Sequence, residues 1–466
     1  MNREKVIEGF SQPRRKWLVF LAVGIGTFMS ALDASVVNTI LPVIRGYFIA
    51  AVSSVEWIVT IYLLVVSSLL LTFGRLGDIH GHKRIYVSGF LIFVAASASC
   101  GLAPSVEILV ISRAIQAFGA AMLFANSPAI LTKSFHPAQR GQALGMQATM
   151  TYLGLTVGPS LGGWLAESFG WRTVFYINVP IGLIAFGLSL AFIYSDKPEK
   201  ASTERFDWVG AVLFSASLIL LLLALNKGND WGWTSLPFIA CVMAAALIMA
   251  VFIQIERRTI SPMLDLSLFQ RRLFSASTAS AVLNYICLYS VIFLMPFYLI
   301  QGRGLNPAQA GVLLTMQPII MAASAPLSGL LSDRIGSRLL STSGMAILSL
   351  GLFLLSRLGP NSPYSVILSG LAVTGLGTGI FISPNTSALL GSAPRQRQGI
   401  ASGILATARN VGMVLGVGLA GASLSSISGL QGDNSVFQAV QVGLETGAGI
   451  ALLGIFVSII RGNKVE

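Results

Sequence analysis

The chain is poor in charged residues, in cysteine and in histidine. Only 10% of its 466 residues are Asp, Glu, Lys or Arg, against about 25% in an ordinary soluble domain. Its three cysteines and three histidines are scattered, and their spacing fits neither a disulfide framework nor a metal site. We also find no nucleophile paired with a base and no phosphate-binding loop. The sequence therefore argues against an enzyme and predicts no cofactor and no metal ion.

Long apolar runs take the place of charge. Hydrophobic residues make up 54% of the chain, and a membrane-spanning helix needs about 20 largely apolar residues in succession. The polar start of the chain and the length of the first run argue against a cleaved signal peptide. We predict an all-α membrane protein with 14 transmembrane helices, spans 1 to 14: residues 17–42, 55–73, 85–102, 108–132, 143–165, 174–194, 209–225, 236–255, 274–300, 310–331, 339–355, 365–390, 399–424 and 442–460.

Lysine and arginine are distributed unevenly between the connecting segments. If the N-terminus is cytoplasmic, the inner segments carry 23 of the 30 basic residues and the outer loops carry 5, with Arg113 and Arg409 inside spans. Such a bias sets the orientation in the membrane. Both termini are therefore predicted to face the cytoplasm, with the protein in the cytoplasmic membrane. The net charge of +12 reflects this bias rather than a nucleic-acid partner.

The chain contains an internal repeat. The segment GRLGDIHGHKR at 74–84 returns as GLLSDRIGSR at 329–338, a shift of 255 residues. Four glycines of span 5 return in span 13 at a shift of 258 residues. Two six-span halves, residues 1–195 and 261–466, are therefore predicted to frame an inserted pair of spans in residues 196–260. Parallel six-span halves are typical of transporters, whose substrate site lies between the halves near the membrane midplane.

One acidic residue lies inside the first apolar run, TFMSALDASVVNTILP (27–42). At about 1.5 Å per residue, Asp33 lies about 24 Å from the inner boundary and Arg113 of span 4 about 8 Å from the outer one. The two residues therefore reach a similar depth in about 30 Å of hydrocarbon. Burial opposes a charged carboxylate, and a neighbouring arginine favours it. An intramembrane acid typically marks a proton or ion path; the alternative is a structural ion pair that joins spans 1 and 4.

Other polar and aromatic side chains well inside the spans are candidates for a substrate pocket. Aromatic rings with a few polar groups suit bulky amphipathic compounds, although each residue alone more often makes an interhelical hydrogen bond. Arg409 has two interpretations, pairing with an acidic substrate or capping a neighbouring helix. Spans 9 to 13 contain no acid, and Glu167 and Glu445 are interpreted as interfacial charges, so monovalent or neutral substrates should be moved better than divalent cations. The candidates are Asn38, Tyr62, Gln116, Asn126, Gln147, Asn284, Tyr285, Tyr289, Gln317, Asn385, Arg409 and Asn410.

Small residues and loop charges form a second set of candidates, for gating. The members on span 5 would give it a flat, bent ridge that allows close helix packing. This ridge is either ordinary tight packing or a pivot that seals the path between the halves. The acids of the two repeated loops can accept hydrogen bonds from the free N–H groups of another helix and so latch the cytoplasmic side. The gating candidates are Gly74, Asp78, Gly81, Arg84, Gly154, Gly158, Pro159, Gly162 and Asp333.

Several motifs resemble those of a known transporter family. The loop G-R-L-G-D-x-x-G-x-K-R at 74–84 is similar to the hallmark loop of the major facilitator superfamily, and GLTVGPSLGG (154–163) to the G-x-x-x-G-P-x-x-G-G pattern of its proton-driven exporters. The segments LDASVVNTILP (32–42), WRTVFYINVPIG (171–182), NDWGW (229–233) and PMLDLSLFQRRLF (262–274) resemble the fourteen-span drug:proton antiporter family. The sequence departs from the family pattern at Ile79 and His82, where arginines are usual, and at Ala117, where glycine is usual.

This resemblance implies a function and roles for the candidate residues. It implies proton-coupled export of amphipathic small molecules such as drugs, dyes or quaternary cations by alternating access, with Asp33 and Arg113 in proton coupling. The expected partners are a small-molecule substrate, protons and membrane lipids, and the expected state is a monomer. The alternatives are a lipid or metabolite transporter on the same scaffold, an exporter that pairs with a periplasmic adaptor, and a non-transporting scaffold or sensor.

Overall fold

The structure is a computed structural model that describes residues 13–136, 139–194, 207–232, 234–257, 266–394, 398–427 and 435–461. Within these ranges all regular structure is helical. A 3₁₀ turn, Leu266–Gln270, precedes α10, and a π-helical turn, Phe297–Gly302, continues it. The helices are α1 (Pro13–Phe48), α2 (Val52–His80), α3 (His82–Leu102), α4 (Val106–Ser134), α5 (Arg140–Phe169), α6 (Thr173–Tyr176), α7 (Asn178–Phe192), α8 (Trp208–Trp231), α9 (Leu236–Glu256), α10 (Arg272–Pro296), α11 (Pro307–Leu314), α12 (Met316–Ile335), α13 (Ser337–Ser356), α14 (Tyr364–Ser392), α15 (Gln398–Ile427) and α16 (Ser435–Ile460).

Twelve helices in the described ranges are long and apolar enough to cross a membrane. They cover predicted spans 1 to 4, 6 and 8 to 14. Two of these spans each consist of two consecutive helices, α6 and α7 in span 6 and α11 and α12 in span 10. Two helices do not meet this condition. The sequence of α5 is rich in glycine and polar residues, and in α8 the stretch with described side chains, Trp208–Ala224, is apolar but only 17 residues long. The expected fourteen spans with an inserted pair are therefore not supported, whereas twelve candidate spans are.

Two predicted spans are each divided near a proline. Span 6 begins as α6 and continues as α7 after an interruption at Ile177. The interruption arises because Pro180 lacks the N–H that would bond to the carbonyl of Tyr176. Span 10 is interrupted at Thr315, between α11 and α12, and Pro318 has the same effect there. Both interrupting residues keep right-handed helical backbone angles. Each pair therefore continues in a helical path instead of turning back.

The helices pack as two bundles that meet along a seam. The first bundle is formed by α1 to α7 and the second by α10 to α16. At the seam α2 packs against α15 and α5 packs against α11. The helices α8 and α9 pack on each other, and α8 lies against α2 and α15; Ser215 Oγ of α8 donates to Ser68 O of α2 at 2.8 Å. The face at which α1 ends and α2 begins is termed the outer face, after the predicted topology, and the opposite one the inner face.

The internal repeat is visible in how glycines bring helices together. A Cβ atom at Gly89 of α3 would lie 3.0 Å from the carbonyl oxygen of Gly119 on α4. In the second bundle, a Cβ atom at Gly344 of α13 would lie 2.8 Å from the carbonyl oxygen of Gly377 on α14. These pairs are related by the shifts of 255 and 258 residues seen in the sequence. Both bundles therefore use the same close helix contact, which small residues permit.

Candidate functional site

Asp33 lies inside the first bundle and is paired with Arg113. The carboxylate comes from α1 and the guanidinium from α4, and each residue is 1% exposed. Arg113 Nη1 donates to Asp33 Oδ2 at 2.6 Å. The similar depths predicted from the helical rise thus correspond to a direct contact between the two side chains, and this contact is shielded from lipid.

The second carboxylate oxygen of Asp33 accepts two further hydrogen bonds. Gln116 Nε2, one turn after Arg113 on α4, donates to Oδ1 at 3.1 Å, and Asn178 Nδ2 donates to the same atom at 2.8 Å. Asn178 is the first residue of α7, and it also donates to Ser97 Oγ of α3 at 3.1 Å. Asn178 was not among the predicted site residues. The available signal was its position in the quoted motif WRTVFYINVPIG, two residues before Pro180.

Arg113 is held by α2 as well as by Asp33. Its Nε donates to the carbonyl oxygen of Ile58 at 3.2 Å, and its Nη1 also donates to Gln116 Oε1 at 2.7 Å. The guanidinium carbon stands 4.2 Å from the centre of the Tyr62 ring, which is a cation–π contact. A buried guanidinium needs several acceptors. Here α1, α2 and α4 supply them together.

Asp33, Arg113, Gln116 and Asn178 form the Asp33 cluster, which is sealed in this conformation. The Asp33 carboxylate accepts three hydrogen bonds, one of them from the Arg113 guanidinium. Loss of either charged partner would leave an uncompensated charge in a buried place, which is costly. In this conformation the Asp33–Arg113 pair is therefore closed off from its surroundings, since both residues are buried.

Tyr62 connects the Asp33 cluster to the second bundle. Its hydroxyl is buried and has no hydrogen-bond partner among the described residues, and it lies within electrostatic range of Tyr289 on α10. Tyr289 is likewise within electrostatic range of Tyr285 on α10 and of Arg409 on α15. The Arg409 guanidinium carbon is 5.7 Å from the centre of the Tyr285 ring. These four predicted pocket residues therefore lie together at the seam, and we call them the seam cluster.

Two other predicted pocket residues join helices within their own bundle. Asn126 links α4 to α2 and α3, since its Nδ2 donates to Phe73 O at 3.2 Å and its Oδ1 lies 2.8 Å from His82 Nδ1. Asn385 links α14 to α10, since its Nδ2 donates to Ser277 O at 2.9 Å. These contacts fasten each bundle near its inner face and do not reach the seam cluster.

The remaining predicted amides are engaged in a similar way. Asn410 is half-buried and follows Arg409 on α15. The other four each donate a hydrogen bond to a residue of their own bundle: Asn38 to Ala34, Gln147 to Thr27, Asn284 to Met345 and Gln317 to Thr374. The structure therefore brings only part of the predicted pocket set to one place.

The glycine ridge of α5 faces α1. A Cβ atom at Gly154 would lie 2.6 Å from Phe28 O, and one at Gly158 would lie 2.6 Å from Ser35 Cβ. Gly162 continues this face, with a Cβ atom 3.0 Å from a methyl group of α1. Three of the gating candidates thus allow close packing inside the first bundle. They do not themselves lie between the bundles.

A second face of α5 meets the other bundle. A Cβ atom at Gly163 would touch Pro307 O, and one at Gly311 of α11 would touch Pro159 O. Pro159 therefore lies at the seam, together with Gly163, the last glycine of the predicted ridge on span 5. At this place α5 and α11 approach backbone to backbone.

The loop glycines of the repeated segment occupy joints between consecutive helices. Gly81, between α2 and α3, has φ = 92°, and Gly336, between α12 and α13, has φ = 88°. Glycine adopts such angles without the strain that a side chain would cause. Gly74 has open space beside it, and Arg84 is exposed on α3 near the inner face. The side chains of two gating candidates lie outside the described residues: Asp78 and Asp333.

Polar contacts hold the two bundles together at the outer face. Arg45 Nη1, near the end of α1, donates to Gln301 Oε1 of the π-helical turn at 2.6 Å. The backbone N–H of Ala308, at the start of α11, donates to Glu167 Oε2 of α5 at 3.2 Å. In this conformation the outer ends of the bundles are therefore in contact.

Two further acids lie near the outer face. Glu56, near the start of α2, is 4% exposed and packs against Gly421 of α15. It was not a predicted site residue, because the first turn of an apolar run gives no sign of burial at a seam. Glu445 Oε1 lies 3.6 Å from Arg357 Nη2, and both side chains are well exposed. This second pair fits the interfacial charge expected for Glu445.

The family model of the Major Facilitator Superfamily matches residues 23–270 and 277–462. The chain belongs to this superfamily. The facilitator is thus a multi-pass membrane transporter of small molecules, and its relatives are transporters, not enzymes. Its fold is similar to that of a bacterial homologue of the human lysosomal transporter Spinster, solved in an inward-facing and unoccupied conformation, with a TM-score of 0.68 and 15% identity over 97% of each chain. At this identity the likeness concerns the fold alone.

Two relatives are similar to this facilitator over most of their length. The riboflavin transporter RibZ of Clostridioides difficile (strain 630) is 36% identical over 404 residues, which is 86% of this chain and 87% of the relative. The multidrug resistance protein Stp of Mycobacterium tuberculosis (strain CDC 1551 / Oshkosh) is 33% identical over 414 residues, which is 89% of this chain and 76% of the relative. Further relatives at 30% and 32% identity are a multidrug transporter and a resistance and export protein.

Proposed function

We propose that this transporter exports amphipathic small molecules in exchange for protons, as a member of the drug:proton antiporter family. The observation that supports the proposal most is the Asp33 cluster. An acid inside the membrane that is enclosed by a bundle and joined to an arginine is a typical proton site. The exporters among the relatives support the direction of transport. Substrate would be carried at the seam as the two bundles alternate between outward-open and inward-open orientations.

Protonation of Asp33 changes which helices hold Arg113. With a proton on the carboxyl group, Asp33 no longer attracts the guanidinium as a charge. Arg113 then keeps the neutral acceptors Gln116 Oε1 and Ile58 O. The bond between α1 and α4 weakens, and α2 becomes the main partner of the arginine outside its own helix. Because α2 also packs against α15, the proton shifts the balance between the two orientations of the bundles.

Tyr62 is the residue that transmits this change to the substrate. Its ring contacts the Arg113 guanidinium, and its hydroxyl lies near Tyr289 of the second bundle. A substrate that enters between the bundles displaces Tyr62 and with it the arginine. Substrate binding and proton binding therefore favour opposite orientations, which is the requirement for exchange.

The proton gradient supplies enough free energy for efflux. One proton that crosses about 100 mV releases about 2.3 kcal/mol, and one pH unit adds about 1.4 kcal/mol. Together these terms sustain a substrate gradient of about several hundred-fold. One exchanged proton per substrate is therefore sufficient.

We further propose that α5 and α8 cross the membrane, which gives fourteen spans with both termini in the cytoplasm. This proposal is supported by the packing of α5 along α1 and of α8 along α9, since both partners are candidate spans. In a cysteine-free background, a cysteine at Asp207 should react with a membrane-impermeant maleimide only from the cytoplasmic side. A cysteine at Gly232, at the other end of α8, should react only from outside. Reaction of both from one side would contradict the crossing of α8.

The exchange is tested with purified protein in liposomes whose lumen is acidic. Addition of ethidium outside should drive protons out of the lumen through the wild type, and a pH-sensitive dye reports the rise in lumenal pH. Asp33→Asn should abolish this proton movement and uphill ethidium uptake, because the site can no longer exchange a proton. Glu445→Gln, which changes an exposed acid, is the matched control and should behave as the wild type.

The same experiment separates the proposal from its alternatives. Ethidium accumulation by Asp33→Asn at the wild-type rate would mean that Asp33 is not the coupling site. Ethidium movement without any change in lumenal pH would indicate facilitated diffusion. Absence of both signals with every compound of a dye and antibiotic panel would favour a scaffold or sensor.

A metabolite transporter is the second candidate function, and the similarity to the riboflavin transporter RibZ favours it. Fold and family do not determine the substrate on this scaffold. Radiolabelled riboflavin, added to the same liposomes, distinguishes the two functions. Saturable riboflavin transport without ethidium transport would support the second candidate over the first.

A further inference from the structure

Arg409 carries a positive charge inside the second bundle that no described residue neutralises. It lies about 16 Å along α15 from the inner end of that helix, and it is half-buried. Its Nε is buried and has no hydrogen-bond acceptor, and it has no ion-pair partner among the described residues. In the sequence of α10 to α15 the only carboxylate is Asp333, close to the end of α12. A charge within a membrane-spanning bundle is costly unless something compensates it.

The internal repeat gives the second bundle no acid at the place where the first has one. Gly154 of α5 packs on Phe28 O of α1, and Gly412 of α15 packs in the same way on Val282 O of α10. This contact aligns α1 with α10 at a shift of 254 residues.

Under that alignment Asp33 corresponds to Cys287. Its thiol is buried and donates to Gly447 O at 3.3 Å. Arg113 corresponds to Leu371 at the shift of 258 residues between α4 and α14. The second bundle therefore contains neither charge of the buried pair, and the described residues provide no anion for Arg409.

The surroundings of Arg409 suit a flat, aromatic ligand. Gly412 and Gly416 follow it by one and two turns, and both pack on α10, so Arg409 lies on the side of α15 that faces α10. There its guanidinium contacts the face of Tyr285, and Tyr289 is one turn further along α10. Tyr62 approaches from α2 of the first bundle. Rings on both sides of the seam can stack on a planar ligand, and the guanidinium can pair with its anionic group.

We propose that Arg409 anchors a substrate subsite for planar aromatic compounds that carry one carboxylate or a similar acidic group. This inference rests on the proposed export function and specifies the chemistry of its cargo. The substrate's acid supplies the missing counter-charge, while its ring system packs among the three tyrosines of the seam cluster. A site of this kind distinguishes an acid from its ester, because only the acid can pair with the guanidinium.

The probe is a matched pair of fluorescent dyes: rhodamine 19, whose benzoic acid is free, and rhodamine 6G, its ethyl ester. Binding to purified protein in detergent is measured by fluorescence anisotropy at a single pH. Wild type should bind the acid about tenfold more tightly than the ester, as expected for a charge-assisted hydrogen bond. Arg409→Gln should lose that preference and leave the affinity for the ester within about twofold of wild type. Arg409→Lys should keep part of the preference for the acid, because lysine retains the positive charge. It should not keep all of it, because the planar guanidinium with its paired N–H donors is lost.

Arg357→Gln is the control, since Arg357 is an exposed arginine far from the seam cluster and its removal should change neither affinity. Equal affinities of wild type for acid and ester would overturn the proposal, as would equal losses for both dyes in Arg409→Gln or no binding of the acid. The measurement uses no proton gradient and no transport. The Arg409 proposal can therefore be refuted while Asp33-dependent exchange is confirmed, and it can be confirmed while that exchange is refuted.

Discussion

At the scale of single residues, the Asp33–Arg113 pair needs an explanation that stability does not provide. A buried ion pair often contributes no more to stability than apolar residues of the same size, whereas a half-broken pair is strongly destabilising. The charge of Asp33 is nevertheless surrounded by three donors on two helices, α4 and α7. A chain that keeps such a costly group in the membrane is expected to use it.

Arg113→Leu is expected to destabilise the protein by about 3–5 kcal/mol, because Asp33 is left as an unpaired buried charge. Addition of Asp33→Asn should recover most of this loss, since the second charge is then removed as well. The double variant should still be unable to drive uphill transport. Thermal unfolding in detergent and ethidium uptake by liposomes measure the two effects separately.

The exposed pair of Arg357 and Glu445 is the matched control for this cycle. Removal of its arginine should cost less than about 1 kcal/mol, because exposed pairs contribute little. A stable Arg113→Leu/Asp33→Asn variant with wild-type uphill transport would show that the buried pair is only a structural link between α1 and α4.

At the scale of secondary-structure elements, α5 is a helix with two different packing faces. Gly154, Gly158 and Gly162 let it lie against α1 of its own bundle, and Gly163 lets it touch α11 of the other. In lipid, helix association depends on such close packing, because no hydrophobic force favours protein contact over lipid contact. The first face therefore maintains the bundle, and the second forms part of the moving seam.

Gly158→Leu is expected to lower the stability of the first bundle by about 1–3 kcal/mol, because the added side chain overlaps Ser35 of α1. Gly187→Leu is the matched control, since a Cβ atom at Gly187 of α7 would meet no atom within 4 Å. Melting temperatures in detergent report the difference. Equal melting temperatures for the two variants would contradict the close packing of α5 on α1.

At the scale of the whole molecule, the two bundles touch at their outer ends and along several helix pairs, chiefly α2 with α15 and α5 with α11. The outer contacts are Arg45 with Gln301 and Glu167 with the start of α11. They are single hydrogen bonds between exposed or half-buried groups, and such bonds separate at little cost. Transport by alternating access requires that they break and form again in each cycle.

A covalent link between the outer ends is therefore expected to stop transport. Cysteines replace Arg45 and Gln301 in a background without the three native cysteines, and a short bifunctional maleimide joins them. Uptake of ethidium should fall to the background level after linkage and stay normal in each single-cysteine variant. As a control, the same reagent links cysteines at Arg357 and Glu445 within the second bundle, where transport should continue. Undiminished transport with the outer ends linked would rule out their separation.

Particular residues show how much of the structure could be predicted from the sequence alone. The regular rise of a helix placed Asp33 and Arg113 at one depth, and the structure brings them into contact. Hydropathy located all twelve candidate spans, but it also counted α5 and α8, which are not among the twelve found in the described residues. Of the predicted pocket residues, only the four members of the seam cluster lie together between the two bundles. Asn126 and Asn385 bond inside their own bundles.

Composition, the placement of basic residues and the two repeat shifts by themselves determined that this chain is helical, lies in a membrane and has two related halves. These properties depend on local chemistry and on spacing along the chain, both of which are present in the sequence. Only the tertiary structure decided that Asn178 joins Asp33, that the ridge of α5 faces α1, and that Arg409 has no anion among the described side chains. Each of these depends on the rotation of one helix against another, and that rotation is set by packing between residues far apart in the chain.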